Sequence, residues 1–406
     1  MADGRRLKQQ PLYGVGQLTR QPKQAAGSSG REEIRAGDLF LLPLAGAQAM
    51  LDAWLGWFGD HRKPPFDDEA ALPWTMPHRV TLELTTLRLR DFSAQKAGRP
   101  VLICAPYALH SALITDFAPA HSIVQALQQG GVSRVHVTDW RSATPQMRSL
   151  SIDSYLADLN VAIDEIGPPV DLVGLCQGGW LSLVYAARFP EKVRRLVLVG
   201  APVDVSCQSP LSQMAATLPH AAFAGLVNAT TGLVSGLQLR SVWSAALNAP
   251  DDAVRQSFAD ATDGGHLLVR FQRWNDATLD LPGVYYVEVA DRVFRENRIA
   301  KGGFVALGRR IDLRRFTLPV FLLVGTEDRV VPAEQALATA GLLGTPAAQV
   351  EIAVEPCGHL GLFMGEAALN RGWRRIAAWL CADEPSRSLD QAPPRDFAAV
   401  AASSRA

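Results

Sequence analysis

The residues most able to do chemistry stand in Gly174-Leu-Cys176-Gln-Gly178, directly after the apolar run Val170-Asp-Leu-Val173. A thiol between flanking glycines at the end of a strand, with a helix to follow, has the spacing of a nucleophile elbow. The turn is so tight that its central residue must take strained backbone angles, and only small neighbours clear the crossing chain. At a helix N-terminus the dipole and free N–H groups favour both a thiolate and a developing oxyanion. Taken alone, the motif reads equally as a buried cysteine in a glycine-rich turn. Two further motifs change the balance. Asp328 follows the strong apolar run Pro319–Gly325, where an acid can orient a histidine, with Glu327 as the nearest competitor. His359 lies in Pro356-Cys-Gly-His359-Leu-Gly361, and of the eight histidines it alone occupies a glycine-flanked loop after a late strand. Nucleophile, acid, histidine in that order define a Cys176–His359–Asp328 triad.

An acyl-transfer site also needs two donors for the oxyanion. One is the backbone N–H of Gln177, the residue after the nucleophile. The other is expected near Tyr107 or Ala108, in the loop after the first core strand. His110 and Tyr107 read equally as ordinary loop residues. Trp243, Phe271 and Trp274 suit a packed core as well as a substrate wall, and Gly264-Gly265 reads as a hinge or a plain turn.

The elements that must hold these groups alternate. Strands are expected in Val80–Leu89, at Pro100–Pro106, Arg134–Asp139, Val170–Gly174, Val193–Val199, Pro319–Gly325 and Val350–Val354. Between them fall helical patterns at Ser122–Gln129, Ile152–Ile166, Leu181–Arg188, Glu334–Leu343 and Leu369–Leu380, the first three stopped by Gly130-Gly131, Gly167-Pro168-Pro169 and Phe189-Pro190. This alternation predicts a mostly parallel sheet flanked by helices, with reactive groups at the strand C-termini. With the elbow it specifies the α/β-hydrolase fold. The rhythm breaks over 204–312, read as an inserted cap. The full division is a basic tail over 1–37, a helical segment over 38–79, the first half of the core over 80–203, the cap, the second half over 313–381 and a polar tail over 382–406. The 38–79 segment contains an amphipathic helix, Asp38–Phe58, bearing Trp54 and Trp57. Both tails are read as disordered.

The 406 residues carry no formal net charge, are 48% hydrophobic and 20% charged, and include five widely spaced cysteines without a CxxC pair. This excludes a nucleic-acid-binding character, a disulfide framework and a zinc site, and no ligand set for any metal is evident. Neither a phosphate loop nor a dinucleotide fingerprint occurs. The start lacks the apolar core of a signal peptide, and no apolar run is long enough to span a membrane. The expected location is the cytoplasm.

Several motifs together resemble the polyhydroxyalkanoate synthase superfamily, which includes intracellular polyhydroxybutyrate depolymerases. They are Gly174-Leu-Cys-Gln-Gly-Gly179, Val137-Thr-Asp-Trp140, Arg273-Trp-Asn-Asp276 with Leu281-Pro-Gly283, Glu296-Asn297 through Gly308–Leu313, and Gly358-His-Leu-Gly-Leu-Phe363. The resemblance runs from about Pro100 to Leu380. It implies that Cys176 accepts a 3-hydroxyacyl group from its CoA thioester, that His359 activates the thiol or the incoming hydroxyl, and that Asp328 supports it. It points to Trp140, Trp274, Asn275 and Asp276 as substrate or cap residues. No cofactor is implied beyond the CoA thioester substrate. A polyester substrate, a homodimer, a partner subunit and a polymer-granule surface are the partners it suggests. Cys-Gln at the elbow is also similar to the depolymerase box, so an ester hydrolase using the same triad stays open, as does a granule-binding protein without catalysis.

Overall fold

The computed structural model describes residues 72–207, 209–247, 254–255, 257–258 and 264–382. The expected Asp38–Phe58 helix, the basic tail and all but the first residue of the polar tail lie outside the described residues, as does the Trp243 side chain.

An eight-stranded sheet carries the structure. Its strands are β1 (Arg79–Glu83), β2 (Leu87–Asp91), β3 (Pro100–Cys104), β4 (Arg134–Trp140), β5 (Val170–Leu175), β6 (Val193–Val199), β7 (Val320–Gly325) and β8 (Val350–Glu355). They lie in the order β1-β2-β4-β3-β5-β6-β7-β8. β1 and β2 form an antiparallel hairpin, β2 meets β4 antiparallel, and every pairing from β4 to β8 is parallel. Every residue of β3, β5 and β7 is buried. That explains their unbroken apolar runs, since a central parallel strand has helices over both faces and no wet side to alternate with.

The main helices are α1 (Ile123–Gln129), α2 (Ile152–Ile166), α3 (Gln177–Arg188), α4 (Pro210–Thr217), α5 (Gly236–Leu247), α6 (Gly264–Asp276), α7 (Gly283–Glu288), α8 (Ala333–Leu342) and α9 (Gly372–Cys381). Local chemistry sets several ends. Ser122 and Ser151 cap α1 and α2 by accepting from the N–H groups of Gln125 and Ser154. Gly167 ends α2 with φ +91°, a conformation that L side chains rarely adopt.

Two expectations are corrected. The helix after the elbow starts at Gln177 rather than Leu181, because the backbone reverses within the single residue Cys176 and Gly178-Gly179 already belong to the first turn. The last expected helix, Leu369–Leu380, is divided. Glu366–Asn370 ends at Arg371, whose guanidinium pairs with the buried Glu355 carboxylate at 2.8 Å, and α9 begins after it.

Among the described residues between β6 and β7, no strand joins the main sheet. The chain instead runs through α4 to α7, with Leu233–Val234 paired to Leu281–Pro282. After α7 it continues as Val289–Arg295, wound more widely than an α-helix, with the Glu296 N–H reaching back five residues to the Asp291 carbonyl. None of the described helices is long and apolar enough to cross a membrane.

Candidate active site

Cys176 stands between β5 and α3 with φ +46° and ψ −116°. Two backbone bonds hold this unusual geometry. The Cys176 N–H donates to the Val199 carbonyl of β6 at 2.9 Å, and the Cys176 carbonyl accepts from the Gly179 N–H at 2.8 Å. The flanking glycines are steric necessities. A methyl on Gly174 would lie 2.5 Å from the Gly179 Cα, and one on Gly178 would overlap the carbonyl oxygens of Cys104 and Ala105 at the end of β3. Both obstacles are backbone, which cannot rotate away.

His359 follows β8, buried, with its Nδ1 2.7 Å from Asp328 Oδ2. The carboxylate can only accept, so Nδ1 carries a proton. The other Asp328 oxygen accepts from the N–H groups of Val330 at 2.9 Å and Val331 at 2.8 Å. Both carboxylate oxygens are therefore engaged and the acid cannot turn. Glu327, the alternative acid, is exposed. With Nδ1 taken, the hydrogen bond between His359 and Cys176 falls on Nε2. Burial works against a charge on His359, but the Asp328 carboxylate, Cys176 and the hydrogen bonds to both outweigh it. Together they hold the imidazole's proton well above the usual histidine range.

Gly200, with φ +51°, lies against the His359 ring. A methyl there would sit 3.2 Å from Cε1 and 3.3 Å from Nδ1. Sequence reasoning missed this residue. The Gly200-Ala-Pro202 turn after β6 was the available signal, but nothing local says which side chain a turn glycine makes room for. The role of Trp180 also went unseen. Its Nε1–H donates to the Gln177 side-chain oxygen and fixes it within the first turn of α3.

The expected oxyanion donors converge on one cavity, whose wall includes Tyr107, Ala108 and Gln177. Gln177 opens α3, where a backbone N–H has no intrahelical acceptor. Among the described residues, the N–H groups of Tyr107 and Ala108 donate to no backbone carbonyl. The Tyr107 side chain is occupied elsewhere. It stacks on Tyr155 at 4.7 Å, takes a hydrogen bond from the Tyr155 hydroxyl at 2.9 Å and reaches the Asp280 carbonyl at 3.4 Å. Only the Tyr107 backbone is free to serve an oxyanion.

The expected substrate and cap residues fall away from this cavity. Trp140 is buried beside Tyr107, its Nε1–H donating to the Ala105 carbonyl at 2.8 Å, so it braces the loop after β3 from behind. Trp274 is buried against His110, with ring centroids 4.4 Å apart, and its N–H reaches the Ser111 carbonyl. Asn275 and Asp276 hold Arg240 through a carbonyl and a carboxylate, each at 2.8 Å. None of the four lines the cavity. Burial, and next the Arg240 charge, push His110 down to about 3, which leaves it neutral and unsuited to proton transfer near neutral pH.

The site is thus a cysteine on a strained elbow, a histidine clamped by a buried aspartate, and free N–H groups at the mouth of a cavity. The alpha/beta hydrolase family profile matches residues 109–371, and the chain belongs to that family. Within it, the chain is similar to several poly(3-hydroxyalkanoate) polymerase subunits PhaC. That of Haloferax mediterranei is 24% identical over 332 residues, covering 78% of this chain and 66% of that protein. That of Allochromatium vinosum is 28% identical over 296 residues, covering 70% and 81%, and that of Synechocystis sp. is 27% identical over 343 residues, covering 77% and 86%. The chain thus spans about two thirds of the Haloferax protein's length and more of the other two. The resemblance read from the motifs extends over most of the chain.

Two outcomes follow from this geometry. Gly178→Ala is expected to destabilise the fold by about 1–3 kcal/mol through backbone overlap, read as a lower urea midpoint. His359, followed by ring-carbon NMR, is expected to titrate above the ordinary 6.5, and Asp328→Asn to bring the titration back toward it. Because the folded-state value is raised, the stability contributed by this proton is fully present below 6.5 and is lost as pH rises through the folded value.

Proposed function

We propose that the chain is a polyhydroxyalkanoate synthase-like acyltransferase that forms a covalent acyl-Cys176 intermediate from a 3-hydroxyacyl-CoA. The observation that carries this reading is the line Cys176–His359–Asp328 on a strained elbow, in a chain similar to PhaC polymerase subunits.

In the first half-reaction the proton of Cys176 rests on His359 Nε2, and the thiolate sulfur adds to the thioester carbonyl. The oxyanion is held by the backbone N–H of Gln177 and one from the loop after β3. Collapse breaks the carbon–sulfur bond to CoA. The proton on His359 goes to the CoA sulfur, leaving free CoA and a thioester on Cys176. Exchange of one thioester for another is close to isoenergetic, and a thiolate leaves readily, which suits cysteine better than serine. In the second half-reaction His359 takes the proton of an incoming 3-hydroxyl, the alkoxide adds to the acyl-Cys176 carbonyl, and the Cys176 thiol is regenerated as an ester forms. Asp328 stabilises the imidazolium in both halves. A 3-hydroxyacyl-CoA as substrate, a polyester as product and a granule surface as the place of work all belong to this reading.

Mixing the protein with (R)-3-hydroxybutyryl-CoA, with intact-protein mass and free CoA followed together, tests it. A mass adduct on Cys176 growing by hydroxybutyryl units, with CoA released, is the expected result. Cys176→Ala should abolish both signals, and Asp328→Asn should slow CoA release by about 10²-fold or more. Absence of adduct and CoA release, with hydroxybutyrate freed from native granules instead, would make the enzyme a depolymerase.

A further inference from the structure

The cavity lined by Tyr107, Ala108 and Gln177 spans about 760 Å³, its mouth to solvent included. Its chemistry is graded. The side lined by Gln177, next in sequence to Cys176, carries the free N–H groups and Tyr107, whereas Tyr286 packs with Ala215, Phe223 and Ala290. The far end is built by α4, the short helix His220–Ala224 and the wide turn Val289–Arg295, which present Met214, Leu218, Phe223, Leu226, Ala290 and Phe294. These are all apolar. Met214, Leu218, Leu226 and Phe294 are only partly buried, so apolar surface stays open within an otherwise closed structure. Such a surface, in a cavity also lined by Gln177 beside the nucleophile, calls for an apolar occupant. The winding of Val289–Arg295 sharpens the point. A wide turn of this kind costs regular hydrogen bonding and recurs at functional sites, and here it places Val289, Ala290 and Phe294 together on the cavity wall.

An acyl group on Cys176 has its carbonyl at the polar end. Its alkyl branch leaves from the third carbon, which points that branch toward the apolar end. A hydroxybutyryl branch is a single methyl and would touch little of this wall. A hydroxyoctanoyl branch is four methylenes longer and would lie along it.

We propose that this cavity is the alkyl-branch pocket of the acyl-Cys176 site and that it selects medium-chain 3-hydroxyacyl thioesters over 3-hydroxybutyryl, an inference that rests on the acyltransferase reading above. Ala290 and Ala215 are the residues that set its depth, because each is a small side chain in a buried cluster with Phe223, where any larger residue takes up cavity space.

The test compares the full-length chain on (R)-3-hydroxyoctanoyl-CoA and (R)-3-hydroxybutyryl-CoA, reading initial CoA release and the mass of acylated protein. Each methylene buried is worth about fourfold in binding, so kcat/KM for the octanoyl substrate should exceed that for the butyryl substrate by at least about tenfold. Ala290→Phe should lower that octanoyl-to-butyryl ratio by about tenfold or more. Equal use of the two substrates, a butyryl preference, or an Ala290→Phe ratio unchanged from wild type would overturn the pocket assignment while leaving the acyl-Cys176 chemistry standing. Failure of both thioesters to acylate Cys176 would remove the acyltransferase reading and the pocket assignment with it. If Ala290→Phe does not fold, the wild-type ratio alone decides.

Discussion

The positive φ of Cys176 is the constraint on which the rest of the site depends. A non-glycine residue in a sparsely populated backbone region costs on the order of 1–3 kcal/mol, and it persists because the surroundings over-determine it. Val199 on the neighbouring strand takes its N–H, Gly179 in the first helical turn donates to its carbonyl, and the backbone of Gly178 lies directly against the end of β3. These contacts come from two different strands and one helix. The elbow thus depends on β3, β5 and β6 being paired. Once it does, the sulfur, the Gln177 N–H and the loop after β3 are in position together.

The second half of the machinery comes from the other end of the sheet. β7 and β8 are adjacent and parallel, so the loops after them emerge side by side and bring Asp328 to His359. The aspartate is immobilised by two backbone N–H groups and the histidine is seated on Gly200 after β6. Burial strengthens these interactions by removing competing water. It would also disfavour an isolated charge, which is why the histidine holds its proton only because Asp328 and Cys176 flank it. Gln177, next to the nucleophile, also lines a largely apolar cavity together with Tyr107 and Ala108.

The parts of this protein that depend on short-range pattern were readable. Val170–Leu175, Val320–Gly325 and Ile152–Ile166 form the elements that their runs and periodicity predict, because burial on two faces or one leaves a direct imprint on residue order. Cys176, Asp328 and His359 could be singled out because each follows a strand, and strand C-termini in a parallel sheet share one edge. Where short-range pattern was silent, the deciding contact was distant. Trp140, expected as a substrate or cap residue, is buried as a brace, because the Ala105 carbonyl it bonds lies just past the end of β3. Trp274, Asn275 and Asp276 form a distinctive run whose partners, Ser111, His110 and Arg240, are all remote in sequence.

By itself, then, the sequence determined the sheet, its mostly parallel sense, the elbow, and Cys176 and His359 as the candidate nucleophile and histidine, since all of these rest on local spacing and on the regular geometry of strands and helices. Only the tertiary structure decided between Asp328 and Glu327, seated His359 on Gly200 and gave the cap a cavity. Each of those outcomes turns on which of two neighbouring side chains faces inward, or on how helices far apart in sequence meet, and neither packing choice leaves a mark on any short stretch of residues.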